Sequence, residues 1–128
     1  ALMWEKAGIL RDAAGLAEAA RGLEALEAEL DHTGVDGASR AFNLAWGDWL
    51  NLRSLLLVSR VIVAAATARE ESRGAHWRED FPHTDDAAKG LASTIATLGS
   101  GGIAITSRPV QFTRIRPGGA GPIPVAAE

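Results

Sequence analysis

Apolar residues recur at helical spacing through roughly the first half of the chain, and the period changes in the second half. Met3, Ala7 and Leu10 share one helical face with Trp4 beside it, which predicts a helix over residues 2–11. Asp12 stands where a side chain can accept the orphan amides of a following helix. Leu16, Leu23, Leu26 and Leu30 then fall on one face, with Glu18, Arg21, Glu24, Glu27 and Glu29 elsewhere, predicting an amphipathic helix over 13–31. His32-Thr33-Gly34 and Asp36-Gly37 carry turn chemistry that ends it.

The third predicted helix, over 39–72, is the longest. Phe42, Trp46, Trp49 and Leu50 lead it. Leu55 to Val58 and Val61 to Ala66 then make it apolar nearly all round. A helix of that kind is normally buried on more than one side. Two neighbours in a chain of this size cover part of it, and the rest is predicted to face something outside the chain.

Periodicity stops over 73–86, where Gly74, Pro82 and dense charge mark a long loop. Ala92 to Leu98 reads as a strand, Gly99-Ser100-Gly101-Gly102 as a turn, and Ile103 to Thr106 as the returning strand, with the arm extending to about residue 112. The Gly-, Pro- and Ala-rich segment 113–128 reads as a flexible tail. The predicted elements are therefore mainly α: three helices followed by a small C-terminal β-hairpin arm.

Composition narrows the function classes. The 128 residues are 47% hydrophobic and 23% charged, an ordinary globular balance. A net charge of −3 gives no reason to expect nucleic acid or an anionic membrane as partner. The absence of cysteine excludes disulfides, thiolate metal sites and iron–sulfur ligation within the chain. No basic segment precedes an apolar run with a cleavage site, so no signal peptide is read. The apolar stretch 55–68 is short for a membrane span and is interrupted by Arg60. The abrupt helical start is what a cut inside a longer protein would leave.

Candidate chemistry concentrates between Glu70 and Asp86. One reading makes His76 a general base oriented by Glu79 or Asp80, but no nucleophile or cofactor motif accompanies it. A second gathers His76, Glu79, Asp80 and His83 around a metal ion, against the register break at Pro82. The third reads a docking latch built from Ser72, Arg73, Gly74, His76, Trp77, Arg78, Glu79, Asp80 and Phe81. Gly74 permits a left-handed turn, Arg73 and Arg78 can fork onto carboxylates or carbonyls, and Trp77 and Phe81 are aromatic anchors. The latch is the favoured reading, because two aromatics stand among the charges. Elsewhere, Trp46 and Trp49 are expected in the core. Arg53 and Arg60, seven apart, are expected to pair with a neighbouring helix. Gly99 to Gly102 lacks the lysine and helix of a phosphate loop.

Glu71-Ser72-Arg73-Gly74-Ala75-His76, followed by Arg78-Glu79-Asp80-Phe81-Pro82 and Asp85-Asp86, closely resembles the carboxy-terminal signature of the fumarate reductase/succinate dehydrogenase flavoprotein family. Leu2-Met3-Trp4 with Gly8-Ile9 and Arg11 resembles the opening of that domain, in its L-aspartate oxidase version. Asn51-Leu52-Arg53 resembles the long helix, and Ile103 to Val110 the terminal strand. The likeness covers about residues 1–112. It departs from the respiratory enzymes at His83-Thr84, where a basic residue usually precedes the aspartates, and in the lack of large aromatics over 87–98.

The resemblance implies a mainly α fold over one domain, 1–112: a spectrin-repeat-like, up-and-down three-helix bundle with a small C-terminal β-hairpin arm, which packs beside FAD-binding and capping domains of the same parent chain. It implies FAD in the parent and no cofactor in this chain. No catalytic, cofactor-binding or metal-binding residue is assigned here, and the chain by itself is expected to be inactive. L-aspartate oxidase and a free-standing helical interaction module, dimeric through its long helix, are the alternative parents or states. An electron-transfer subunit is a further implied partner, and the implied location is cytoplasmic, peripheral to the inner membrane through the parent complex.

Overall fold

The computed structural model describes residues 1–35, 37 and 41–113. In chain order these form α1 (Leu2–Lys6), β1 (Leu10–Arg11), α2 (Ala13–Thr33), α3 (Leu44–Ala68), β2 (Trp77–Arg78), β3 (Ala92–Gly99) and β4 (Gly102–Pro109). The domain is mainly helical with a β-hairpin. The segment 114–128, read from sequence as a flexible tail, lies outside the described residues.

The first helix is shorter than its periodicity predicts. It stops at Lys6, and Leu10-Arg11 runs extended instead, parallel to Trp77-Arg78. Gly8 allows this exit: a Cβ there would stand 2.5 Å from the Trp4 carbonyl oxygen. The pairing is non-local, across more than sixty residues, so the local pattern carries no trace of it.

α2 is capped at both ends. Asp12 accepts from the Gly15 amide at 2.6 Å, and the Gly34 amide donates to the Leu30 carbonyl at 3.1 Å, with Gly34 at φ +64°. α3 begins five residues later than its pattern predicts, because Asn43 caps it by accepting from the Ala45 amide at 3.0 Å. Phe42, the first predicted anchor, therefore precedes the helix, at φ +54° and fully exposed. α3 ends at Ala68 rather than near 72, since the following residues are drawn into the loop described below.

α2 and α3 pack antiparallel. Leu16, Ala19, Leu23, Leu56, Val63, Ala66 and Ala7 form the buried core, with Leu2, Met3, Ala20 and Leu30 against it. Two ion pairs lace the helices. Lys6 meets Glu18 at 2.7 Å and Arg60 meets Glu27 at 2.5 Å. Trp49 is half-buried, donating to the Leu30 carbonyl at 3.3 Å, and Trp46 lies edge-on to it, more exposed. The two tryptophans thus sit at the margin of the core, and Arg53 stacks over Trp49, 5.2 Å from its ring centre, rather than bridging to a neighbouring helix.

β3 and β4 form an antiparallel hairpin closed between Gly99 and Gly102. It is tied back to the end of α3 by Arg69, which donates to Thr94 Oγ1 in β3 at 3.4 Å and to the Lys89 carbonyl just before that strand at 3.1 Å. By length and composition alone α3 is long and apolar enough to cross a membrane. It is nonetheless one half of a packed pair, with Leu56, Val63 and Ala66 buried on α2.

Candidate functional site

The loop after α3 turns inward before it turns outward. Arg69, Glu71 and Arg73 alternate along an extended stretch, so their side chains converge on one side. Glu71 is fully buried. Its carboxylate accepts from Arg73 Nε and Nη2 at 3.2 and 3.1 Å, from the Asp85 amide at 2.8 Å, and from Arg69 Nη2. Burial pushes this carboxyl up, but the bonds from Arg73, the Asp85 amide and Arg69 outweigh it and hold the group at about 2. Arg73 also reaches Asp86 at 2.6 Å. A buried anion thereby gathers the two ends of the loop.

Arg73 and His76 exchange backbone bonds of 2.8 and 3.0 Å around a two-residue turn, with Gly74 at φ +58° as its first central residue. The turn sends Trp77-Arg78 alongside β1. Trp77 N donates to Ile9 O at 3.2 Å and Glu79 N to Arg11 O at 2.8 Å.

Arg78 is 2% exposed, almost wholly enclosed. Its Nη1 donates to the Ala66 carbonyl at 2.9 Å and the Thr67 carbonyl at 3.3 Å. With Arg69 N on Ala65 O and Lys89 Nζ on Ala68 O, all four orphan carbonyls of α3 are satisfied. Two cations at the negative end of the helix dipole are favourable in themselves. Arg78 Nε and Nη2 fork onto both oxygens of Asp80 at 2.7 Å. Asp80 in turn accepts from the Ala13 amide at the start of α2, at 3.0 Å. The Arg78 bonds, with burial opposing them, hold the Asp80 carboxyl at about 2. Ser72 Oγ accepts from Arg78 N at 2.9 Å and donates to the Phe81 carbonyl at 2.8 Å.

His76 Nδ1 lies 2.5 Å from Arg11 Nη1, and Nε2 lies 3.1 Å from the Arg69 carbonyl. It therefore contacts neither Glu79 nor Asp80, the residues that would orient it as a base. Asp80 is taken by Arg78. Among the described residues no three His, Cys, Asp or Glu side chains gather to hold a metal. A groove of about 530 Å³ between α2, α3 and the hairpin turn is lined by Glu24, Arg60 and Val63, away from His76.

The nine residues read as a latch thus divide. Ser72 and Arg78 are spent inside the chain, and Arg73, His76 and Asp80 mostly so. Gly74, Trp77, Glu79 and Phe81 are exposed, Phe81 lying under the Arg78 guanidinium at 4.9 Å. Arg11, Arg69, Glu71 and Lys89 belong to the network and were not among the nine. The Arg69-Glu71-Arg73 alternation was a usable signal for Glu71, and nothing local marks Arg11 or Lys89.

The sheets are two-stranded, and the glycine-rich turn at 99–102 closes a hairpin instead of leading into a helix.

A family model described as "Fumarate reductase flavoprotein C-term" matches residues 1–122. The fumarate reductase flavoprotein subunit of Mycobacterium tuberculosis is 40% identical over 113 residues, 88% of this chain and 19% of that protein. The L-aspartate oxidase of Streptomyces coelicolor is 44% identical over 85 residues, 66% of this chain and 14% of that protein. Among solved structures, an E. coli quinol fumarate reductase variant superimposes with a TM-score of 0.82 at 28% identity, over 91% of this chain and 20% of that one. Mycobacterium smegmatis Sdh1 in complex with UQ1 gives a TM-score of 0.77 at 30% identity, over 87% and 19%. The chain spans between 14% and 20% of the length of these relatives.

Proposed function

Because the chain belongs to the fumarate reductase flavoprotein C-terminal family, we propose that it is the non-catalytic carboxy-terminal domain of an FAD-dependent oxidoreductase of the fumarate reductase/succinate dehydrogenase type. In this reading it packs against the flavin-binding and capping domains of its parent and stabilises them. The flavin and the dicarboxylate chemistry reside in those domains; in support, the glycine-rich turn at 99–102 closes a hairpin and leads into no helix. The three helices α1, α2 and α3 are the elements of a spectrin-repeat-like bundle, α1 being its short member.

The observation that carries the proposal is the outer face of α3. Leu55, Val58 and Ile62 fall on one side of the helix, away from the Leu56–Val63 face, and all three are exposed. Exposed apolar side chains grouped on one helix face mark an interaction surface. Trp77 and Phe81 add exposed aromatics at the C-terminal end of α3, on a loop already rigid from within. The docking surface is therefore α3's outer face plus the exposed part of the loop.

The test is association of this chain with the separately produced flavin-binding portion of its parent. A one-to-one complex, with FAD carried by the other portion, is expected. Self-association through α3 with no affinity for that portion would favour a free-standing dimeric module instead. Stoichiometric FAD on this chain alone would overturn the assignment.

The likeness to L-aspartate oxidase supports a second parent, though the fumarate reductase match runs over more of the chain. Oxidation of L-aspartate by the intact parent would decide for it. We place the parent in the cytoplasm, peripheral to the inner membrane through an electron-transfer partner. The likeness to quinol fumarate reductases supports that placement.

A further inference from the structure

We propose that His76 is a proton-operated catch on the joint between β1 and β2: neutral, it holds Arg11, and protonated, it lets β1 go. The geometry settles the neutral state. A guanidinium only donates hydrogen bonds, so His76 Nδ1, 2.5 Å from Arg11 Nη1, presents its lone pair. The ring proton is then on Nε2, which donates to the Arg69 carbonyl at 3.1 Å. A second proton has only Nδ1 to occupy, where an Arg11 N–H already points.

The charged side chains that act most on the ring are cations: Arg11 from β1, Arg69 just past α3 and Arg78 from β2. The nearby carboxylates are committed elsewhere, Glu71 to Arg69 and Arg73, and Asp80 to Arg78. Burial lowers the His76 pKa from 6.5, the Arg69 carbonyl bond works against this, and the three arginines add to the lowering. The stabilisation is thus complete above 6.5 and is lost as pH falls through the folded-state value.

What protonation releases is small and weakly held. Each strand contributes two residues, and the cross-strand bonds include Trp77 N to Ile9 O at 3.2 Å and Glu79 N to Arg11 O at 2.8 Å. Two-residue parallel pairings do not persist unaided. Ile9, Leu10 and Trp77 stand exposed on this joint, so opening it rearranges an apolar corner of the surface. The inference rests on the loop's internal geometry and is independent of the identity of any partner.

The experiment is imidazole ¹⁵N NMR with amide exchange on this chain from about pH 7.5 to about pH 5.5. His76 is expected with a bare Nδ1 and a protonated Nε2, titrating below 6.5. Protection at the Trp77 and Glu79 amides, corrected for intrinsic exchange, should fall about tenfold or more across that range. His76→Gln keeps one acceptor and one donor but does not titrate, and should flatten the dependence. His83→Gln, in the same loop, should leave it in place. In Arg11→Met the His76 titration should move upward and protection should be low at both ends. A proton on Nδ1 at neutral pH, or an unchanged pH-dependent loss in His76→Gln, would overturn the proposal. The tautomer measurement stands even where a variant folds poorly.

Discussion

Arg78 and Asp80 form a forked ion pair whose two members cap different helices: Arg78 takes the last carbonyls of α3, and Asp80 takes the first amide of α2. Because α2 and α3 run antiparallel, the negative end of one dipole and the positive end of the other lie together. The pair neutralises both and joins the start of α2 to the end of α3. A loop that reads as charged surface thereby closes the helical pair.

Arg78→Ala should be among the most destabilising single changes. It leaves Asp80 without its partner and frees two α3 carbonyls in a buried place, a loss of about 3–5 kcal/mol. Arg78→Lys keeps the charge but cannot fork onto Asp80 while reaching Ala66, and should recover only part of the stability. Urea denaturation followed by tryptophan fluorescence measures both.

Glu71→Gln removes the anion that Arg69 and Arg73 share and should cost about 3 kcal/mol by the same assay. The acid limb of wild-type stability should reflect Glu71 and Asp80 together. Both folded values lie near 2, below the ordinary values of 4.5 and 3.8. Their contribution is therefore present above those ordinary values and is lost as pH falls towards 2. In Glu71→Gln the decline on acidification should be shallower.

Gly74→Ala isolates backbone conformation. A Cβ at Gly74 would meet nothing within 4 Å, while φ is +58°. The expected cost is about 1 kcal/mol, all of it from the left-handed backbone. A calorimetric shift near zero would show that the turn relaxes.

α2 is legible in the sequence because its signals are local: Asp12 as cap, leucines at helical spacing, Gly34 as stop. The hairpin is legible through its change of period and its glycine turn. The end of α3 is not. No glycine or proline marks Ala68, and the stop comes from Arg69 to Arg73 being recruited by a buried carboxylate and by Asp85 and Asp86, more than a dozen residues on. β1 is invisible for the same reason, since a parallel pairing between Leu10 and Trp77 has no local pattern. Within the loop, residue types point to strong hydrogen bonding but not to its being spent mostly within the chain. Arg78 looks like a surface residue until the orphan carbonyls of α3 are counted.

The most direct measurement of the central claim is the affinity of Val58→Asp and Ile62→Asp variants for the flavin-binding portion of the parent, beside their stability. Both residues are exposed, so folding should change by no more than about 0.5 kcal/mol. The account predicts near-native stability with binding weakened at least about a hundredfold, as for a buried apolar anchor. Unchanged binding by both variants would contradict it, showing that the outer face of α3 is not where the parent docks.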